Sequence, residues 1–211
     1  MNVEVHVENV FPIPIYSSII DISNLIVDDI PCKKYRDIRD RNPELDVISA
    51  SENEKLLQTE LKFSELKKII DQHMLHFYEN VLGYDSEDVY PEMVASWLVK
   101  SEPGNQGKMH SHVNSTFSGV VYLKTHEHCG KITFVLREKL IQCLDPPIKT
   151  FNSYNDRSLT FHVRDGLLLL FPSWLLHKVE KNNSDKIRYS IGFNYFLKGI
   201  YRNHTAGLEL K

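Results

Sequence analysis

Cysteine is scarce in this 211-residue chain: Cys32, Cys129 and Cys143 are the only three, and no two form a CxxC pair. An odd, scattered set excludes a disulfide-stapled scaffold and suits a reducing compartment. Long apolar runs are missing too. The longest extend about five to eight residues, far short of the roughly 20 that cross a bilayer. Charge of one sign is lacking: the formal net charge is −3, which provides no global basic field to gather nucleic acid. Residues Met1 to His6 have neither a basic n-region nor an apolar core, so no signal peptide is expected. The sequons at Asn114, Asn183 and Asn203 then read as chance matches. No repeat, low-complexity tract or Gly/Ser linker divides the chain. Its length suits one domain, 1–211, with a sizeable core. The expectation is a soluble, cytoplasmic protein.

What is present changes character along the chain. Val10 to Tyr16 leans toward β, but Pro12 and Pro14 confine it to an edge. Residues 33–60 read as loops with a short helix. Residues 63–82 are the clearest helix, with Leu66, Ile70, His73, Phe77 and Val81 at steps of three or four, Ser64 as a cap and Gly83 as the stop. From Glu92 onward the texture is β. Strands are expected at 93–99, 108–113, 117–124, 131–136, 158–163, 166–172 and 187–197, separated by turn chemistry such as His128-Cys129-Gly130 and Asp165-Gly166. Four consecutive leucines, 167–170, fit a strand buried on both faces. Short strands after a helical N-terminal third point to a mainly β fold: a β-sandwich with flanking helices, divided into supporting elements over 1–90 and a core over 91–200.

The chemistry concentrates in one pattern. His110 and His112 flank Ser111; His177 follows 65 residues after His112, and Arg188 eleven residues after that. Residues i and i+2 of a strand share a face, so His110 and His112 can converge on one ion, with His177 from the end of another strand completing the set. Three imidazoles suit a first-row transition metal and leave coordination positions open. Arg188 offers a planar guanidinium for a carboxylate, and Ser190 faces the same way with a hydroxyl donor. Tyr122 is a third candidate donor to that carboxylate, alongside its plainer reading as a core aromatic. A second register, with His112 and Asn114 as the pair, competes with the first. Asn is the poorer iron ligand.

Met109 to Ser115 with Ser118 to Leu123, and Gly166 to His177 with Arg188 to Asn194, resemble the two halves of a family signature. The family is that of the 2-oxoglutarate- and iron(II)-dependent oxygenases of bacteria and phages, similar in outline to prolyl 4-hydroxylases. Phe11 to Pro14 and the Ser96-Trp97 strand resemble it as well, so the likeness spans nearly the whole chain. It implies a double-stranded β-helix, or jelly roll, with Fe(II) at His110, His112 and His177 and the co-substrate 2-oxoglutarate clasped by Arg188, to which Ser190 and Tyr122 add the candidate donors named above. It implies a hydroxylase-type dioxygenase that releases succinate and CO2, with no catalytic side chain beyond the metal centre. The substrate is a small molecule or a protein side chain, in the cytoplasm of the cell or of a phage host. The wider superfamily usually carries a carboxylate two residues after the first ligand histidine; this chain carries His112. Two other readings remain at this stage: a non-enzymatic jelly-roll module for a ligand or partner, and a cupin-like dioxygenase that uses the same histidines without 2-oxoglutarate.

Other clusters read more plainly. His126-Glu127-His128-Cys129 has zinc-ligand residue types but no distant partner, and suits a hairpin tip. The stretch from Asp145 to Arg157 is a long loop from which Phe151, Tyr154 and Arg157 either reach a substrate or face solvent. His73 and His76 are packing or surface residues. Trp174 is expected to pack under the His177 turn, and Asn194 to support the site from the strand that carries Arg188.

Overall fold

The computed structural model describes residues 4, 6–7, 11–23, 25–35, 48–136, 146–202 and 207–211. Two antiparallel sheets face one another. The larger has the order β1(Tyr16–Ile19)-β9(Leu167–Pro172)-β6(Phe117–Lys124)-β11(Arg188–Arg202)-β4(Val89–Ser101)-β3(Ile48–Ser51)-β2(Cys32–Tyr35), with β12(Gly207–Leu210) paired to β11. The smaller has the order β5(Gly107–His110)-β10(Leu176–Val179)-β7(Ile132–Val135)-β8(Ser158–Phe161). From β4 to β11 the chain crosses repeatedly between the sheets, which is the winding of a jelly roll.

Period-two patterning explains which side of β11 faces what. Tyr189, Ile191, Phe193 and Tyr195 join one apolar core, packed under the helices with Leu66, Ile70, Met74 and Phe77. The intervening residues therefore face the space between the sheets, where Tyr122, Phe134, Leu169 and Phe171 form a second core. Strand β9 supplies both cores at once. Leu168 and Leu170 enter the first and Leu167 and Leu169 the second, none more than 6% exposed, as the leucine run predicts. Each such burial contributes about 1.5–3 kcal/mol.

The helical layer comprises α1(Leu56–Thr59) and α2(Ser64–His76). Helix α2 buries Leu66, Ile70 and Met74 at helical spacing and is tied to β11 by Tyr195, whose hydroxyl donates to Asp71 Oδ1 at 2.5 Å. Four expectations change here. Ser64 makes no capping hydrogen bond, since Phe63 holds the cap position and Ser64 is already helical. After His76 the helix widens into a π-turn, Phe77–Val81, whose extra residue per turn shifts the phase and leaves Val81 51% exposed. The region read as loops contains β2 and β3, which extend the larger sheet; residues 36–47 between them lie outside the described ones, as does Cys143. The edge strand begins at Tyr16, after the two prolines, and pairs with β9. Among the described residues no helix is long and apolar enough to cross a membrane.

Candidate metal and co-substrate site

The structure brings His110, His112 and His177 together, with one ring nitrogen from each lying within 4.8 Å of the others. Ring centroids are 4.3 Å apart for His110–His177 and 5.2 Å for both His110–His112 and His112–His177. They arrive differently from the sequence expectation. His110 ends β5 and is paired directly with His177 across the smaller sheet. His177 does not end the leucine strand; a turn after Pro172 starts a separate strand, β10, in the opposite sheet. His112 lies beyond β5, and its position comes from its backbone N–H, which donates to Ser173 O at 2.9 Å. Strand alternation thus places only one of the pair.

Every Nδ1 of the triad is engaged by a carbonyl oxygen: His110 with Lys108 O at 2.7 Å, His177 with Leu175 O at 3.0 Å and His112 with Asn194 Oδ1 at 2.7 Å. A carbonyl accepts only, so each ring carries its proton on Nδ1 and keeps a lone pair on Nε2. Burial, followed by the nearby His110, pulls His112 down to about 4 and His177 down to about 3, against an ordinary 6.5. Both rings are neutral at pH 7, the form a metal requires. Three lone-pair nitrogens on one patch fit a divalent transition metal. Aromatic rings wall the patch: Phe171 and Phe134 lie 4.9 and 5.7 Å from His177, and Trp97 lies 5.8 Å from His112. Gly192 makes room for Trp97, because a Cβ there would stand 2.9 Å from the indole.

Arg188, Ser190 and Tyr122 lie further along the same inner face. Ser190 is the cross-strand partner of Tyr122, and all three are at most 5% exposed. Arg188 donates through Nη1 to the main-chain oxygen of Cys129, while its Nε has no partner. No carboxylate among the described residues pairs with it. A buried cation with an unfilled donor needs an anion to complete it. Burial pushes the Tyr122 hydroxyl up to about 12, despite the nearby Arg188 charge, so it remains protonated and able to donate.

The remaining candidates sort by position. Asn114 is exposed in a left-handed conformation at φ 56°. The His126 to Cys129 segment is a turn with Glu127 and His128 exposed, and the histidine triad is the metal-competent group among the described residues. Trp174 is 57% exposed and does not pack under the turn as expected: the turn directs it outward, and Phe171 packs against His177 instead. Phe151 and Tyr154 are exposed. His73 meets the Tyr16 hydroxyl at 2.7 Å and His76 faces solvent. Sequence reasoning missed Cys129, whose contribution is a backbone carbonyl, and Ser118 and Ser173, which lie behind Asn194.

Residues 95–194 match the protein family described as "Putative 2OG-Fe(II) oxygenase". Among solved structures, a 2OG-Fe(II) oxygenase family oxidoreductase from Burkholderia pseudomallei is similar at 12% identity and TM-score 0.55, over 80% of this chain and 74% of its own. The non-heme alpha-ketoglutarate-dependent epimerase SnoN from nogalamycin biosynthesis is similar at 12% identity and TM-score 0.55, over 86% of this chain and 77% of its own. A prolyl-4-hydroxylase from Pseudomonas putida is similar at 14% identity and TM-score 0.50, over 77% and 76%. No curated protein sequence matches the chain. Residues 95–194 thus carry the match to that family, and the fold around them is similar to that of these solved oxygenases.

Proposed function

We propose that His110, His112 and His177 hold Fe(II) and that Arg188, Ser190 and Tyr122 hold 2-oxoglutarate, so that the protein hydroxylates a small molecule or a protein side chain. The observation that carries this reading is the buried Arg188 with its unfilled Nε, on the same inner face as a triad of lone-pair imidazoles. Bound iron and 2-oxoglutarate supply oxygen activation, with succinate and CO2 as the co-products. The chain's own residues do the rest. The guanidinium and two hydroxyls fix the distal carboxylate, which sets the reach of the co-substrate toward the triad. Trp97, Phe134 and Phe171 shield the rings of His112 and His177 from water. His110, the exposed member of the triad, marks the side from which substrate approaches. Three neutral ligands leave the dipositive charge for the 2-oxoglutarate dianion to offset, which couples metal and co-substrate affinity. We place the protein in a reducing cytoplasm, a reading supported by the unpaired Cys32 and Cys129.

Anaerobic titration with Fe(II), with and without 2-oxoglutarate, tests the assignment. A charge-transfer band that requires both components supports it. Iron uptake indifferent to 2-oxoglutarate points to cupin-like chemistry, and no uptake points to a binding module. Arg188→Ala should sharply weaken 2-oxoglutarate binding while Fe(II) still binds.

A further inference from the structure

His110 and His177 carry local tautomer locks, because the Nδ1 of each meets the main-chain carbonyl two residues upstream. His112 has no such lock. Its Nδ1 meets a side chain 82 residues away, Asn194 Oδ1, at 2.7 Å. An imidazole ligand must keep its proton on the far nitrogen, whereas a carboxylate at the same position would need no such control.

We propose that Asn194 is a positioning residue for the metal centre: its side-chain carbonyl, oriented by Ser118 and Ser173, holds His112 as the Nδ1–H tautomer and keeps its Nε2 free to ligate. The proposal rests on the three-histidine reading given above. An asparagine amide has two faces with opposite consequences. With Oδ1 toward His112, the ring is a ligand. With the NH2 group there instead, the ring would have to accept at Nδ1, carry its proton on Nε2 and lose the lone pair the metal needs.

The surroundings select the first face. Ser118 Oγ donates to Asn194 Oδ1 at 2.8 Å and lies 2.8 Å from Ser173 Oγ. With Oδ1 there, Ser173 donates to Ser118 and Ser118 to Asn194, so both hydroxyl protons have an acceptor; with the NH2 group there, one of the two would have no other acceptor among the hydrogen bonds of the described residues. Both hydroxyls are buried, at 0% and 1% exposure, and no competing solvent reverses the order. Ser118 is also the direct cross-strand partner of Asn194. The backbone closes the circuit, because the N–H of His112 donates to Ser173 O at 2.9 Å. Four residues from four separate segments thus form one loop of hydrogen bonds around a single ligand, gripping its ring and its main chain together. Such networks fix geometry because their members orient and polarise one another.

Two measurements on the same variants test this. Two-bond 15N–1H correlation spectra of the histidine-labelled apoprotein read each ring's tautomer without metal, and Co(II) titration reads affinity. In the wild type His112 should be the Nδ1–H form. Asn194→Ala should convert it to a mixture and lower Co(II) affinity about 10- to 100-fold, with His110 and His177 unchanged. Asn194→Asp, which can only accept, should restore both readouts. Ser118→Ala, the milder change if Asn194→Ala does not fold, should move both in the same direction by less. An unchanged His112 tautomer and affinity in Asn194→Ala or in Ser118→Ala overturns the proposal. So does a folded Asn194→Asp as defective as the alanine variant. A wild-type protein that takes up no divalent metal would remove the iron reading instead, and leave the tautomer result standing by itself.

Discussion

Replacing Arg188 with methionine should make the protein more stable and deprive it of its co-substrate at the same time. Arg188 is 3% exposed, has no ion-pair partner among the described residues and leaves its Nε unsatisfied. Taking a guanidinium out of water costs several kcal/mol even after relaxation. The one recorded compensation is the hydrogen bond to Cys129 O, worth about 1.5–3 kcal/mol for a charged donor. Methionine fills similar volume without charge, so the net gain should be about 1–3 kcal/mol. For a chain of this length that corresponds to a rise of roughly 2–12 °C in melting temperature. With Mn(II) present, 2-oxoglutarate at a hundred times its dissociation constant should add about 2.7 kcal/mol to the wild type and nothing to the variant. The two melting curves should therefore converge or cross as 2-oxoglutarate is added. A variant that melts below the wild type without co-substrate would refute the claim that the charge is uncompensated. An undiminished 2-oxoglutarate shift would refute the clamp.

Three further outcomes are expected. His112 and His177 stay neutral in the fold down to about 4 and 3, whereas in the unfolded chain they take protons near 6.5. The contribution of these two histidines to apoprotein stability should therefore be constant between about pH 7 and 9 and fall from about pH 6.5 toward 4, by about 2–4 kcal/mol at pH 5. Urea midpoints across that range check it, and a His112→Gln/His177→Gln double variant should lose most of the slope. Tyr122→Phe removes a buried donor to the proposed carboxylate. It should raise the KM for 2-oxoglutarate about 5- to 10-fold with kcat retained, a shift absent if the ring is only packing. Gly119→Ala would set a Cβ 2.3 Å from the Phe193 ring and 2.7 Å from Leu169 O, inside a core with no space to yield. It should cost about 1–3 kcal/mol by urea denaturation, while the folded fraction keeps its Co(II) affinity.

The sequence reveals the features that depend on periodicity. The leucine run, the strand from Phe117 to Lys124 and the apolar face of α2 each follow from side chains that must be buried on one or both sides. The triad was legible as residue types. The route by which it assembles was not, because His112 sits beyond its strand and is placed by the turn at Ser173. Strands β2, β3 and β12 escaped notice, since Cys32–Tyr35 and Gly207–Leu210 carry little alternation and owe their form to a neighbour with free hydrogen-bonding groups. The partner of Arg188 was hidden for a simpler reason. It is a main-chain carbonyl, and any residue at position 129 would supply one.

Strand β11 acts as a ruler for the active face. It is paired with β4 from Arg188 and with β6 from Tyr189; the register with β6 shifts between Tyr189 and Ser190, and that with β4 is unbroken until after Asn194. Arg188, Ser190 and Asn194 therefore stand at fixed intervals of about 3.3 Å per residue along one rigid line. Neither end can be adjusted alone. A one-residue deletion between them would turn the residues on one side of it to the opposite core, and the proposed carboxylate clamp and the proposed lock on His112 could no longer share a face. A longer or shorter co-substrate could not be accommodated by stretching this strand. With Arg188 and Ser190 holding the acid as proposed, a change in co-substrate length would have to come from exchanging side chains at these fixed rungs.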